Sequence, residues 1–456
     1  MLPPETEALQ ERLSENKDSV DALERALKST NEMYSISNPT KKLNGSIQLT
    51  ASKSESNRAL IIQALSKEKF RIDNLATAQD TQTLQVILDA DQQHMQSAQA
   101  KEEKTYDVGP AGTTMRFLTA YFAATPGKRI LTGSERMKQR PIGILVDALR
   151  SLGAKITYLE EDGYPPLQID GKTLKGGELE IVGNISSQFI SALLLISPVL
   201  QNGIVIHFKG EITSRPYINM TLKMMEEFDV VGTWHDDSIS VSQQKYHPNG
   251  DDDYVYMVEG DWSAASYWYA FAALANEVDF TIKGLKSASL QGDSIVSELF
   301  NFFNVNTTYA DDGIHLKKTT VKNEHFGFDF SDCPDIAQTL AVVSGLLKIP
   351  SYFNGLHTLR IKETDRVSAL KKELAKIGVE IEIIDDCSMQ VTTPELHKPT
   401  APIKTYDDHR MAMALAAVAM VYDDVLIEHP EVVSKSYPDF WKDLKKTGFV
   451  VKDVKK

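Results

Sequence analysis

A helix end followed by a short turn and a strand recurs along this chain at nearly constant spacing. The two clearest copies are residues 149–156 and 374–381, each with a glycine four residues after its first leucine, where a left-handed residue can end the helix. Equivalent positions fall at 88, 152, 228, 303, 377 and 447, and the copy at 88 is the weakest. A spacing of about 75 residues exceeds that of ordinary solenoids, so it predicts six copies of one αβ unit in two three-fold domains.

The composition suits a globular protein with more than one hydrophobic core. The chain has 456 residues, of which 42% are hydrophobic and 25% charged, and it is too long for one ordinary core. Its formal net charge of −14 argues against nonspecific binding to nucleic acid or to an anionic membrane. A local cluster of lysine and arginine is therefore informative, because the rest of the surface does not account for it.

The sequence gives no sign of a targeting or membrane segment. No apolar run approaches the ~18 residues that span a bilayer, and residues 9–27 are too rich in charge for a signal peptide. Cys333 and Cys387 have no metal-ligand spacing, and a chain of this length needs no disulfide framework. We therefore expect a cytoplasmic protein without a metal site.

Residues 1–33 form a separate, charged segment. Its apolar residues have helical spacing and predict one amphipathic helix; they are Leu9, Leu13, Val20, Leu23 and Leu27. Two interpretations remain open for this helical extension. It is either a solvated addition to the folded chain or a helix that binds a partner.

Periodic apolar residues predict helices after Gly112, Pro141 and Lys362. Charged and hydroxyl residues concentrate at or near such helix starts, where unpaired backbone N–H groups and the helix dipole attract anions. Each segment alone is explained by a helix cap, an ordinary loop or a surface salt-bridge cluster. Together they contain more cations than carboxylates, and they predict a central cleft for a polyanion. The segments are 52–58, 109–116, 136–142, 186–191, 213–217, 332–335, 360–366, 406–413 and 434–438.

In their order, these segments resemble the sequence motifs of the EPSP synthase family, and the likeness extends over residues 44–448. The resemblance implies an α/β fold of two domains, each built from three βαβαββ units, with the active site in the cleft between them. It implies a first domain of residues 34–51 and 260–456 and a second of residues 52–259. Closure of the cleft on substrate is also expected.

The resemblance further implies a reaction that uses no metal and no organic cofactor. In this family the 5-hydroxyl of shikimate 3-phosphate attacks C2 of phosphoenolpyruvate while C3 is protonated, and phosphate then leaves as C3 loses a proton. Two anionic substrates require a cationic pocket, and the proton transfers require an acid and a base. The expected partners are these two small molecules, with no nucleic acid and no membrane, and we expect a monomer.

Site residues follow from the motifs by the same resemblance. Asp335 is the expected proton acceptor and Glu363 the expected group that exchanges a proton with C3, while Lys362 and Lys53 assist catalysis. The residues expected to bind shikimate 3-phosphate are Lys53, Ser54, Arg58, Ser186, Ser187, Gln188, Ser214, Tyr217, Asp335 and Lys362. Those expected to bind phosphoenolpyruvate are Lys53, Gly112, Thr113, Arg140, Gln188, Arg366, Arg410 and Lys435.

Four segments depart from the family pattern, and one of them is Thr50-Ala51, where the family usually has Pro-Gly before the serine-lysine pair. Pro110 and Thr358 stand where the family usually has asparagine, and Phe117 stands where it usually has proline. None of these changes removes an acid, a base or a phosphate ligand. Two other interpretations stay open: a sister enzyme that transfers enolpyruvyl to a UDP-sugar, and a non-catalytic homologue that binds anions. The sister enzyme normally has a loop cysteine, which neither cysteine of this chain matches, and the intact acid and base residues argue against the homologue.

Overall fold

The structure is a computed structural model that describes residues 32–68, 70–183, 186–248, 254–320 and 323–455. Residues 1–31 lie outside it, so the amphipathic helix expected there stays a prediction. The limit of that extension at residue 33 is wrong, because Glu32 and Met33 belong to the first strand, where the Met33 side chain is buried. Within the described ranges, no helix has the length and apolar character needed to cross a membrane.

The described residues form a mixed α/β fold of short elements. The strands are β1 (Glu32–Ser37), β2 (Lys42–Gln48), β3 (Arg71–Asp73), β4 (Lys104–Asp107), β5 (Gly127–Thr132), β6 (Lys155–Tyr158), β7 (Leu167–Gly171), β8 (Gly177–Val182), β9 (Ile204–Lys209), β10 (Gly232–His235), β11 (Ser238–Val241), β12 (Val255–Met257), β13 (Glu277–Lys283), β14 (Val305–Ala310), β15 (Gly313–Lys318), β16 (Phe326–Asp329), β17 (Ser351–Asn354), β18 (Glu380–Ile383), β19 (Met389–Thr392), β20 (Val425–Glu428) and β21 (Val450–Lys455).

The helices connect these strands, and the cleft side chains lie on them or close to their ends. The α-helices are Lys53–Leu65, Gln79–Gln96, Gly112–Ala124, Glu135–Lys138, Gly143–Ser151, Ser187–Ile196, Arg215–Glu226, Trp262–Leu274, Val296–Phe302, Ala337–Leu346, Arg366–Ala375, His409–Leu415 and Phe440–Lys446. Short 3-10 helices are Ser197–Val199, Gly292–Ile295, Pro334–Ile336, His357–Ile361, Ala416–Met420 and Pro430–Lys435. The helices predicted after Gly112, Pro141 and Lys362 are all present, beginning within four residues of those positions.

Four of the sheets share one topology. In each, the first two strands in chain order lie parallel. The fourth strand pairs antiparallel with the second, and the third pairs antiparallel with the fourth. The orders are β2-β13-β15-β14, β4-β5-β7-β6, β8-β9-β11-β10 and β16-β17-β19-β18. Such repetition within one chain is the structural counterpart of the six-fold spacing read from the sequence.

The sheet that contains β1 joins distant parts of the chain. β1 pairs antiparallel with β20 on one side and with β21 on the other, and a parallel bridge joins Ile403 to Ile427 of β20. The order from Ile403 through β20 and β1 to β21 therefore repeats the shared topology. Here β1 takes the third position, which in the other sheets belongs to a strand close to its neighbours in sequence. A two-stranded parallel sheet, β3 with β12, is the shortest of the described sheets.

Five of the six repeat positions lie directly after a helix and before a strand, at 152, 228, 303, 377 and 447. The glycines at 153, 378 and 448 have φ values of 99°, 83° and 92°, in the left-handed region expected of a helix end. The expected helix end near Leu88 is wrong, since that helix runs on to Gln96. Nothing breaks it there, because neither glycine nor proline occurs between Leu88 and Gln96.

Buried apolar side chains form two separate clusters. The first core cluster comes from residues 36–49 and 262–449, and the second core cluster comes from residues 51–258. The chain passes between them twice, through residues 50–52 and 259–261, which we call the crossover. An antiparallel bridge joins Ala51 to Gly260 there. We propose that each cluster is the core of one domain and that the boundaries lie at the crossover.

The crossover is fixed by a buried carboxylate. The Glu259 carboxylate accepts hydrogen bonds from the indole N–H of Trp262 at 2.8 Å, the backbone N–H of Lys286 at 2.8 Å and the hydroxyl of Ser289 at 2.6 Å. The side-chain amide of Gln291 donates a fourth, at 3.1 Å. The carboxylate thereby fixes residues 259–261 of the crossover. Backbone hydrogen bonds of 2.8 Å, from Ser52 N–H to the Glu259 carbonyl and from Asp261 N–H to the Thr50 carbonyl, join them to residues 50–52.

Candidate active site

Helix starts from both core clusters line a common cleft. Most of the residues predicted from the sequence line this cleft. They are Lys53, Ser54, Arg58, Thr113, Arg140, Ser186, Ser187, Gln188, Ser214, Tyr217, Asp335, Lys362 and Arg410. A neighbouring cavity shares Arg140 and adds Glu363 and Lys435. Of the other two predicted residues, Arg366 lies buried behind the cleft and Gly112 lies against Arg140. The structure therefore brings the separate motifs together in space.

Asp335 lies among three cations. Its carboxylate oxygens are 2.8 Å from Arg410 Nη2, 3.1 Å from Arg366 Nη1 and 3.5 Å from Lys362 Nζ. Burial alone would favour the neutral acid, but Arg410, Lys362 and Arg366 hold the pKa of Asp335 well below its usual range. Burial also lowers the pKa of Lys362, although Asp335 opposes that shift.

Glu363 has a comparable set of neighbours. Its carboxylate is 2.5 Å from Lys435 Nζ, 3.0 Å from Arg366 Nη2 and 3.8 Å from Arg140 Nη1. Against the effect of burial, Lys435, Arg140 and Arg366 hold the pKa of Glu363 well below its usual range. Arg140 comes from the second core cluster's part of the chain and Lys435 from the first, so this carboxylate is a point of electrostatic contact across the cleft.

Arg366 organises the floor of the site. Its guanidinium contacts both Asp335 and Glu363, and Nε donates to Asp408 Oδ2 at 2.7 Å. The side chain is almost fully buried, and Asp408 is fully buried. These carboxylates raise the pKa of Arg366 against the effect of burial, so the cation is permanent. Three acceptors orient the guanidinium rigidly, as a preorganised charge requires.

The start of the Gly112–Ala124 helix lies directly against Arg140. A Cβ atom added to Gly112 would be 2.6 Å from Arg140 Nη1, so a side chain here would displace the end of this arginine. Thr113, the next residue, accepts a hydrogen bond from Gln188 Nε2 at 3.3 Å. Glycine at this position thus lets a guanidinium approach backbone N–H groups at a helix start, and both attract anions.

The guanidinium of Arg58 is hydrogen-bonded to neighbouring protein groups. Its guanidinium donates to Thr221 Oγ1, to Ser191 Oγ and to the carbonyl of Ser54, each at 2.8 Å. Burial lowers the pKa of this guanidinium to about 10. The contact to the Ser54 carbonyl fixes the first turn of the Lys53–Leu65 helix. Direct contact with shikimate 3-phosphate stays a prediction for Arg58, and the geometry favours an orienting role.

Several polar residues near the cleft escaped the sequence reasoning. Asp80 forms an ion pair of 3.1 Å with Lys53, and Asp408 binds Arg366. Arg116 lines the cleft and donates to the carbonyl of Gly112 at 3.1 Å, while burial and then Arg140 lower its pKa well below the usual range. Arg116 and Asp408 lie in segments already singled out. Asp80 gave no signal beyond an acidic first helical turn.

Most of the chain is similar in sequence to known proteins. The sequence profile described as EPSP synthase (3-phosphoshikimate 1-carboxyvinyltransferase) matches residues 37–444. The chain belongs to the EPSP synthase family. A Bacteroides fragilis protein named 3-phosphoshikimate 1-carboxyvinyltransferase is 48% identical over 421 residues, which are 92% of this chain and 98% of that protein. A protein of the same name from Vibrio campbellii is 37% identical, over 89% of this chain and 97% of that protein.

Solved structures related to the EPSP synthase family have the same fold. The EPSP synthase of Acinetobacter baumannii superposes with a TM-score of 0.72 at 18% identity, covering 93% of this chain and 100% of that one. The enolpyruvyl transferase NikO of Streptomyces tendae gives 0.68 at 13% identity, covering 94% and 100%. The chain therefore has the enolpyruvyl transferase fold that its sequence predicted.

The departures from the EPSP synthase pattern lie at the cleft and next to it. The buried ring of Phe117 packs under the guanidinium of Arg58, with 5.6 Å between ring centroid and Cζ. Thr358 lines the cleft, and its hydroxyl has no hydrogen-bond partner within the described residues. Pro110 lines the neighbouring cavity that contains Glu363.

Proposed function

We propose that the facing charges of this cleft carry out enolpyruvyl transfer, the reaction that EPSP synthase membership assigns to the chain. The chain transfers the enolpyruvyl group of phosphoenolpyruvate to the 5-hydroxyl of shikimate 3-phosphate and releases phosphate. The single observation that supports the residue assignment is the placement of Asp335 and Glu363. Each is a partly buried carboxylate, with 18% of the Asp335 side chain and 15% of the Glu363 side chain exposed. Each faces cations from several motifs, as groups that handle protons beside anionic substrates should.

Glu363 can hold a proton once phosphoenolpyruvate draws away the cations that surround its carboxylate. Phosphoenolpyruvate is an anion and would compete with Glu363 for Lys435 and Arg140. As those contacts weaken, burial dominates and the pKa of Glu363 rises. The acid then protonates C3 as the C2–O bond forms, and its carboxylate takes a proton back from C3 when phosphate leaves. Binding and acid strength are thereby linked through the same side chains.

Asp335 is proposed as the acceptor of the hydroxyl proton. Lys362 lies 3.5 Å from it and Arg410 2.8 Å, so charge that develops near the attacking oxygen is stabilised. The proposed ligands of shikimate 3-phosphate are Lys53, Ser54, Arg58, Ser186, Ser187, Gln188, Ser214 and Tyr217, with Asp335 and Lys362. Those of phosphoenolpyruvate are Lys53, Gly112, Thr113, Arg140, Gln188, Arg366, Arg410 and Lys435.

A phosphate-release assay tests the function directly. The purified chain is incubated with phosphoenolpyruvate alone, with added shikimate 3-phosphate, and with an added UDP-sugar. Phosphate release that depends on shikimate 3-phosphate is expected. Release only with the UDP-sugar would favour the sister enzyme, and no release under any condition would favour a non-catalytic homologue. A cytoplasmic location and a monomeric state stay predictions, the latter checked by light scattering during gel filtration.

A further inference from the structure

A buried carboxyl group that the proposed mechanism does not use lies between the two core clusters. Asp293, on the 3-10 helix Gly292–Ile295, is only 2% exposed. The hydroxyl of Ser263 donates to its Oδ2, and the hydroxyl of Tyr217 lies 3.4 Å from each of its carboxyl oxygens. Tyr217 belongs to the second core cluster's part of the chain, whereas Asp293 and Ser263 belong to the first.

The contacts of Asp293 continue into the cation set of the cleft. Ser263 Oγ accepts from Arg410 Nη2 at 3.3 Å, and the same Nη2 is 2.8 Å from Asp335. One chain of hydrogen bonds thus runs from Tyr217 through Asp293 and Ser263 to Arg410. Its two ends are residues assigned to different substrates.

The backbone beside Asp293 is shaped for this contact. A Cβ atom on Gly292 would lie 2.4 Å from Pro216 Cβ, so only glycine permits this approach. Pro216 directly precedes Tyr217, which places the tyrosine ring next to Asp293. Close packing of Gly292 on Pro216 and the hydrogen bonds of Asp293 are separate observations at one junction.

We propose that Asp293 is a positioning residue that orients the Tyr217 hydroxyl for shikimate 3-phosphate and anchors it, through Ser263, to Arg410. The inference rests on the proposed role of Tyr217 in binding that substrate. Burial, together with nearby Asp335, raises the pKa of Asp293 to about 7. An asparagine is therefore a close mimic of the neutral form and keeps an acceptor oxygen.

Calorimetric titration with shikimate 3-phosphate alone tests the proposal, because no turnover occurs without phosphoenolpyruvate. The proteins are wild type, Asp293→Ala, Tyr217→Phe and the double variant. Loss of an oriented hydrogen bond to a charged ligand should weaken binding about ten-fold or more in each single variant. The double variant should bind about as weakly as either one, because both changes remove one interaction. Losses that multiply in the double variant would overturn the proposal.

Two further variants separate positioning from folding. Asp293→Asn should bind within about three-fold of wild type, since it keeps the acceptor for Ser263 and Tyr217. Binding as weak as that of Asp293→Ala would contradict an orienting role. Asp279→Ala, on the exposed side of β13, is the control and should bind as wild type does. Wild type that fails to bind shikimate 3-phosphate overturns the proposed function, whereas binding by wild type and Asp293→Ala alike overturns this inference alone.

Discussion

Glu363 contacts three cations, and each of them is also a proposed ligand of phosphoenolpyruvate. In the proposed mechanism one carboxylate therefore competes with the substrate for Lys435, Arg140 and Arg366. This arrangement makes the acidity of Glu363 depend on whether the substrate holds those cations. Asp335 likewise contacts Arg410, another proposed ligand of phosphoenolpyruvate. The guanidinium of Arg366 contacts both carboxylates.

Replacing Glu363 with glutamine keeps the shape of the side chain but removes its exchangeable proton. We expect kcat to fall ~10²–10⁴-fold, the usual contribution of a general acid or base, with smaller changes in the KM values. Exchange of the methylene protons of phosphoenolpyruvate with solvent, followed by NMR, should slow in parallel. Glu431→Gln is the control, because Glu431 lines the same cavity without contacting the predicted catalytic groups. Exchange at the wild-type rate in Glu363→Gln would remove this residue from the mechanism.

Replacing Lys435 with methionine removes the cation nearest to Glu363. Lys435 lowers the pKa of Glu363, so its removal should raise that pKa. Because Glu363 must carry a proton to protonate C3, the alkaline limb of the pH profile of kcat/KM should accordingly move to higher pH, and the KM for phosphoenolpyruvate should rise. Lys442→Met, at a largely exposed position, supplies the control profile. A profile that stays in place would show that Lys435 does not set the protonation of Glu363.

Much of the cleft could be predicted from the sequence because its cations cluster at helix starts in an acidic chain. Arg140, Arg410 and Lys435 are conspicuous for that reason. Asp80 and Asp293 could not be found in this way, since an acidic residue in a first helical turn is common and unremarked. Their contacts depend on which helix starts lie next to each other in space, and that is decided by tertiary packing.

At the scale of the elements, the crossover depends on Glu259 and its four donors. Glu259→Ala should lower the free energy of unfolding by about 3 kcal/mol or more, because buried donors lose their acceptor. Urea denaturation followed by circular dichroism measures the change. Glu277→Ala is the control: Glu277 forms an ion pair with Lys42 in which the two side chains are 63% and 43% exposed, and such surface pairs contribute about 1 kcal/mol or less. Equal stability of the two variants would show that Glu259 does not hold the crossover.

Helix starts were predicted more accurately than helix ends. The helices after Gly112 and Lys362 follow from apolar periodicity and from capping residues such as Asp365, whose side chain accepts from Ser368 N–H. The helix through Leu88 was placed too short, because its end is not marked by glycine. β1 was partly missed because its burial comes from pairing with strands near the other end of the sequence, which local patterns do not reveal.

For the whole molecule, the two core clusters differ in how the chain enters them. The second core cluster is continuous in sequence, so residues 51–258 expressed alone should fold and unfold cooperatively in urea. Residues 262–455 alone should not, because they lack β1 and β2, which pair with β20, β21 and β13. Circular dichroism and amide NMR spectra of both fragments test this. A cooperative transition in the second fragment, or none in the first, would contradict the proposed division into domains.

The six-fold spacing was the part of the architecture most accessible from sequence, since each copy carries its own turn. The order of strands within a sheet was not, because it depends on pairings between residues far apart. Four sheets nonetheless repeat one strand order. In each of these αβ units, two parallel strands are followed by two antiparallel ones.

The position of β1 affects the order in which the molecule can be assembled during synthesis. Its neighbours in the sheet begin at Val425 and Val450, so the ribosome makes β1 long before either partner exists. At ordinary elongation rates the delay is roughly 20–80 s. The second core cluster is translated entirely within that interval and can fold as it emerges. β1 must therefore wait unpaired, tethered to a finished domain, until β20 and β21 leave the ribosome and pair with it.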